Sequence, residues 1–345
     1  MPTLYLIEQN THLSKSGERL LLCKKSVQGK GRPAHTDEIL LDLPFADVSH
    51  VMLFGNIQVT TQALQEMLKH EIELALFNFS GRLLGQLTPP CSKNIDLRIA
   101  QFERFQDEAF KLDFSRKIVA AKLQNAAHMV RQHRKNHPEL IAVQEANELL
   151  DYGERAQSAK TLETLRGIEG AGSACYFKLF GRMLSPPWQF AKRSRRPPQD
   201  PANAVLSFGY VVIGAQIQAI LDGIGLDPFL GFYHTPSYGR PSLALDVLEE
   251  FRQPLIDRLA LNLFNRSQFS ENDFMKPPKG GMYLATEGKR TFFKQYEKTA
   301  GQFASATDTS SKHSGFRVLF QRQARILQKT LLEGKPYQPF VMKTS

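Results

Sequence analysis

The hydrophobic period of this chain changes at Thr88-Pro89-Pro90, and that change divides it into two kinds of structure. Before it, short apolar runs at 3–7, 19–23, 39–43, 51–54 and 72–77 are separated by Gly17, Gly29–Gly31, Pro44, Gly55 and the Ser80-Gly81 turn. Runs of that length with turn punctuation read as β-strands. Residues 61–69 interrupt them as one short helix, with Thr60 or Thr61 as its N-cap. The last strand stops near Leu87, because a proline cannot donate to a sheet ladder. From Asp96 onward Leu97, Phe102, Phe105, Phe110, Ile118, Leu123 and Met129 recur at roughly helical spacing among Arg and Lys. One or two long helices to about Arg134, a break at Asn136-His137-Pro138 and a helix over 140–152 are predicted; the remainder also reads as helical. The expected class is an α+β multidomain protein. Its β-rich N-terminal domain would cover 1–88, its linker 89–95 and its larger all-α domain 96–345, and 345 residues suffice for both cores.

Charge follows the same division. Residues 1–90 hold 8 basic and 9 acidic residues out of totals of 44 and 34, so the rest of the chain carries the whole positive excess. A basic helical domain points to a polyanion, with nucleic acid ahead of a membrane surface. Cys23, Cys91 and Cys175 form no C-x-x-C pair, which argues against a zinc knuckle or a disulfide framework and fits a reducing, cytoplasmic setting. The N-terminus lacks the pattern of a signal peptide. The most apolar stretch, Val205 to Leu221, is broken by Gly209, Gly214, Gln216 and Gln218; it reads as a buried helix too short and too polar to span a membrane.

Chemistry-bearing residues gather in three places. Glu169 sits among Gly167, Gly170, Ala171, Gly172, Ser173 and Ala174, which would let another helix or a ligand approach closely. Lys192, Arg193, Arg195 and Arg196 lie near Trp188 and Phe190, a composition suited to phosphate contacts and base stacking, although a solvated basic loop is the commoner case in general. Asp200-Pro201 then supplies a cap and a first-turn proline for the apolar helix, with Asn203 free to bond neighbouring loops. Finally, His234 lies on a turn-rich segment before a helix starting near Ser242 that carries Asp246, Glu249 and Glu250 on one arc. Taken alone, that arc is a solvated acidic face.

Four ordered blocks change this reading: E-G-x-G-x-x-x-Y-F (Glu169–Phe177), R-P-P-x-D-P-x-N-A-x-L-S-F-G-Y (Arg196–Tyr210), G-L-D-P-x-L-G-F-x-H (Gly225–His234) and G-R-x-S-L-A-L-D-x-x-E-E-F-R (Gly239–Arg252). With Leu53–Leu64, Ser80–Gly85 and Gly280–Leu284, they make nearly the whole chain resemble the CRISPR-associated integrases, the Cas1 (Cas-one) family. The resemblance implies a β-rich domain that dimerises and a helical domain that holds a metal-dependent active site. It assigns the metal and catalytic roles to Glu169, His234, Asp246 and Glu249, the last being a position where the family often has Asp. Glu250 is left outside that set.

Carboxylate oxygens with one imidazole suit Mg²⁺ or Mn²⁺. Such an ion would assist an in-line displacement at a phosphodiester, with a DNA 3′-hydroxyl as nucleophile in spacer integration and water in endonuclease cleavage. Arg193, Arg195, Arg196, Arg240, Lys289 and Arg290 are the candidate contacts to double-stranded DNA, protospacer and repeat alike. The implied partners are a second copy, forming a homodimer, and a small CRISPR-associated protein of the Cas2 (Cas-two) type in a heterohexamer-like integration complex, with no membrane. Two other readings stand beside this antiviral-defence role: a structure-selective nuclease on branched DNA or RNA, and a non-catalytic nucleic-acid-binding scaffold.

Overall fold

The computed structural model describes residues 3–24, 38–88, 94–278, 280–302 and 315–342. Cys91, the linker positions 89–93 and the Gly29–Gly31 turn lie outside them. The chain divides into two compact units, Met1–Cys91 and Ser92–Ser345.

The first unit contains β1 (Thr3–Leu6), β2 (Thr11–Ser16), β3 (Arg19–Lys24), β4 (Glu38–Pro44), β5 (His50–Phe54), β6 (Ile57–Val59), α1 (Thr61–Lys69), β7 (Glu73–Phe77) and β8 (Leu83–Leu87). They form two four-stranded sheets, ordered β1-β5-β7-β8 and β4-β3-β2-β6. Leu6, Leu13, Leu20, Phe45, Val51, Leu53, Met67 and Leu74 fill one core. Thr60 caps α1 by accepting the Ala63 N–H. Strand β2 is invisible to a search for apolar runs, because THLSKS turns only Thr11 and Leu13 fully inward. Its pairing with β3 across Gly17, which takes φ +57°, makes it a strand.

The second unit holds α2 (Ile95–Gln106), α3 (Glu108–Asn136), α4 (Val143–Ser158), α5 (Leu162–Met183), α6 (Pro201–Ile224), α7 (Ser242–Leu248), α8 (Arg258–Asn265), α9 (Thr286–Gln302) and α10 (Phe316–Glu333). It is not purely helical, as the sequence suggested. Phe274–Met275 (β9) and Tyr283–Leu284 (β10) pair antiparallel, and two-residue strands leave no period to read. The predicted helix over 140–152 starts later and runs longer, as α4. Helix α3 runs through the core, burying Ile118, Val119, Leu123, Ala126, Ala127 and Val130. It meets α5 closely at Gly172, where a Cβ would stand 2.6 Å from Leu123 Cδ2.

Helix α6 has the caps its ends predict. The Asp200 carboxylate accepts the Asn203 N–H, Pro201 opens the first turn, and Gly225 closes the helix at φ +98°. At 24 residues and a mean hydropathy of 1.8 in its most apolar window it is long and apolar enough to cross a membrane, contrary to the expectation from residues 205–221 alone. Burial decides its role instead, since 72% of that window is covered within the unit.

Candidate metal centre

Helix α7 ends at Leu248, and the chain continues through Glu249 and Phe251 into one π-helical turn, Arg252–Asp257. The acidic residues here do not form a solvated face. Asp246, Glu249 and Glu250 are 0%, 3% and 0% exposed, and so are Ala244, Val247, Leu248 and Phe251 on the other side, all at 1% or less. Each carboxylate has a different set of partners.

Asp246 holds the loop that carries His234. Its Oδ2 accepts the backbone N–H of Phe232 (2.7 Å) and Tyr233 (3.0 Å), and its Oδ1 accepts the N–H of His234 (2.9 Å). Oδ1 also lies 2.7 Å from His234 Nδ1. The loop comes this close because Gly231 has no side chain: a Cβ there would stand 2.6 Å from the Ser242 carbonyl carbon. With three backbone N–H groups and the His234 ring on its two oxygens, Asp246 has the surroundings of an orienting group. By occupying Nδ1 it leaves Nε2 as the imidazole's available nitrogen, the usual carboxylate–histidine arrangement beside a metal.

That Nε2 lies 3.7 Å from Glu249 Oε1. Glu249 Oε2 accepts Arg252 Nε at 2.9 Å and faces Lys122 Nζ at 3.0 Å. Burial by itself would raise the Glu249 pKa, but the Arg252 and Lys122 charges outweigh it and hold the carboxyl far below the ordinary range. Glu169, from α5, pairs through Oε1 with the same Lys122, and its Oε2 accepts the Tyr233 hydroxyl at 3.3 Å. Burial again opposes ionisation, and Lys122 again overcomes it, so Glu169 is also shifted down. Lys122 is itself buried, which favours its neutral form; Glu249 and Glu169 more than offset that, and its pKa is raised.

The four residues singled out in the sequence are therefore brought together. The sequence reading missed Lys122 and Arg252 as members. Lys122 did leave a signal, since it stands one helical turn from both Ile118 and Ala126 on the buried stripe of α3. Arg252 also lies over the Tyr210 ring at 4.4 Å, and the Tyr210 hydroxyl donates to Asp257, as does that of Tyr176 at 2.7 Å. Glu250 faces away from the centre. It accepts the Tyr337 hydroxyl, Gln323 Nε2 and the Phe340 N–H, fastening the segment after α10 against the back of α7.

The surface cations are fewer than expected. Arg193 is turned inward, bonded to Asn203 Oδ1 at 2.7 Å and Ser207 Oγ at 3.0 Å, with its guanidinium over Tyr210. Lys289 is 1% exposed, and burial pushes its pKa down to about 8. Lys289 lacks the exposure a phosphate contact needs, and the guanidinium of Arg193 is held by Asn203 and Ser207. Arg195 and Arg196 are exposed, Arg240 is half-buried, and Arg290 is exposed in a two-pronged pair with Glu287.

In the first unit, donor atoms of Glu18, Glu66 and His70 lie within 4.8 Å of one another. Lys15 and Lys69 already pair with Glu66 there, and Glu18 and His70 are exposed, so this grouping is a surface ion-pair network. The donors around His234 are of the right kind for a hard divalent ion, two carboxylates and one imidazole nitrogen, with Lys122 at the point where the carboxylates converge. Buried carboxylates with an oriented imidazole define a candidate phosphoryl-transfer centre.

Residues 4–298 match the family described as CRISPR associated protein Cas1. The chain is 33% identical over 341 residues to the Thermus thermophilus protein named CRISPR-associated endonuclease Cas1 3, covering 99% of this chain and 97% of that one. It is 31% identical to CRISPR-associated endonuclease Cas1 1 of Moorella thermoacetica, covering 99% and 98%. The fold matches a casposase bound to integration product with a TM-score of 0.85 at 21% identity, covering 100% of this chain and 96% of that one. It matches the Cas1 protein of Thermotoga maritima with a TM-score of 0.79 at 24% identity, each chain fully covered. The chain belongs to the Cas1 family.

Proposed function

We propose that this chain is an Mg²⁺- or Mn²⁺-dependent DNA integrase and endonuclease that inserts short DNA fragments into CRISPR arrays. The observation that carries the reading is the meeting of Glu169 and Glu249 at Lys122, with His234 Nε2 3.7 Å from Glu249 and Asp246 fixing the imidazole from behind. Glu169, His234 and Glu249 would hold the ion. When bound, it would polarise a non-bridging phosphate oxygen and stabilise the charge that develops in an in-line displacement.

The remaining work falls to the chain. Arg252 keeps Glu249 ionised and in place, the Tyr233 hydroxyl orients Glu169, and Asp246 keeps His234 Nε2 turned toward Glu249. A DNA 3′-hydroxyl attacking the array phosphodiester displaces the adjoining 3′-oxygen, which gives strand transfer; water in the same place gives cleavage. Arg195, Arg196, Arg240 and Arg290 support the reading as sequence-independent phosphate contacts. Relatives named as endonucleases, a fold shared with a casposase on its integration product, and a fold shared with one part (36%) of a chain in a Cas6-RT-Cas1–Cas2 complex support a DNA substrate and a Cas2-type partner. A homodimer assembled through the β-rich unit completes the proposal.

The test is half-site integration into a supercoiled array plasmid. Wild type with Mn²⁺ should join a short duplex to the array, and Glu169→Ala or His234→Ala should lose the product while remaining folded, read by circular dichroism. Unchanged joining in either variant, or full activity in EDTA, would return the chain to the scaffold reading.

A further inference from the structure

Lys122 Nζ sits between the two carboxylates assigned to the metal, paired to Glu169 Oε1 and 3.0 Å from Glu249 Oε2, on a side chain 8% exposed. Glu249 has Arg252 as a second cation, whereas Glu169 has Lys122 alone among the described residues. Two carboxylates, Glu169 and Glu249, thus face two cations, Lys122 and Arg252. Two carboxylates brought together without a cation would repel, and each would be pushed toward its neutral form.

We propose that Lys122 is a built-in counter-cation of the metal centre, holding Glu169 and Glu249 ready in the absence of the ion and competing with it for their oxygens. This rests on the metal reading given above. Lysine suits the task better than arginine. Its ammonium is a point charge on a flexible stem that can withdraw from one carboxylate, whereas a guanidinium forms a fixed fork. An ordinary buried ion pair would stabilise the fold to the same extent with or without metal, and this difference makes the proposal testable.

The experiment compares melting temperatures of the full chain in EDTA and in Mn²⁺, for wild type, Lys122→Met and Lys122→Met/Glu169→Gln. In EDTA, Lys122→Met should melt about 5–10 °C below wild type, because it leaves carboxylates buried without a counter-charge. Mn²⁺ should close at least half of that gap, and calorimetric titration should show Mn²⁺ binding about tenfold tighter than in wild type, because the competitor is gone. The double variant, with one negative charge fewer, should regain the wild-type melting temperature in EDTA; it decides the matter if Lys122→Met does not fold. An equal Mn²⁺-induced rise in both proteins with unchanged affinity, or a double variant no more stable than the single one, would overturn the proposal. Absence of any Mn²⁺ response in wild type as well would instead overturn the metal reading.

Discussion

The imidazole of His234 and the carboxylate of Asp246 lie 2.7 Å apart, Nδ1 to Oδ1, and the same carboxylate accepts three consecutive backbone N–H groups at residues 232–234. One fully buried side chain thereby fixes both the ring and the loop beneath it. Asp246→Asn replaces one of the two accepting oxygens with an NH₂ that faces donors. Activity in strand transfer should fall by about 10–100-fold, the usual cost of losing a group that orients a metal-ligating histidine. Stability should fall by about 1–3 kcal/mol, read from urea unfolding. Wild-type strand transfer in this variant would refute the orienting role.

Gly231 is where the loop and α7 come closest. Gly231→Ala would place Cβ 2.6 Å from the Ser242 carbonyl carbon and 2.8 Å from Asp246 Oδ2. Backbone on both sides cannot yield cheaply, so a loss of about 1–3 kcal/mol is expected, with strand transfer reduced in the protein that remains folded. Gly170→Ala is the control: nothing lies within 4 Å of its Cβ position on α5. It should raise stability by about 0.5–1 kcal/mol through helix propensity. Equal melting temperatures for the two variants would contradict the close approach at Gly231.

Asp257 gives the fold a dependence on pH. Burial, only partly offset by the Tyr210 and Tyr176 hydroxyls, pushes its pKa up to about 6 from the ordinary 3.8. The folded state therefore binds the proton more tightly than the unfolded chain does. Its contribution to stability is fully present below about pH 4 and is lost as pH rises through about 6. A shift of about two units corresponds to about 3 kcal/mol across that window. Asp257→Asn should reduce the pH dependence of the urea midpoint between pH 4 and 7, part of which remains with Glu250, whose burial pushes its pKa up to about 8; an unchanged profile would exclude Asp257 as a source.

Arg195 and Arg196 are exposed, whereas Arg193, two residues earlier, is locked to Asn203 and Ser207. Replacing Arg195 and Arg196 together with alanine should lower duplex affinity and reduce the magnitude of the slope of log K against log salt by about 1.8, with no change in melting temperature. Arg193→Ala should do the reverse, lowering the melting temperature. If the double variant kept the wild-type salt slope, these two residues would not be phosphate contacts.

By itself the sequence determined the strand character of the first unit, the helical character of the second and the caps of α1 and α6; through its resemblance to a family it pointed to the four residues of the proposed centre. These are written locally, in period, turn residues and motif spacing. It could not show β2, β6 or the β9–β10 pair, because strands this short or this polar are defined by their partners. Nor could it distribute the roles of the acidic residues on and after α7. Helical spacing put Asp246, Glu249 and Glu250 on one arc, yet one orients a histidine, one faces the centre and one anchors the segment after α10. The surroundings that separate them come from α3, α5, α10 and the loop at 231–234, elements that are not neighbours along the chain. Lys122 and Lys289 make the same point: each is a lysine within a helix, and only packing buries the first between carboxylates and removes the second from the surface.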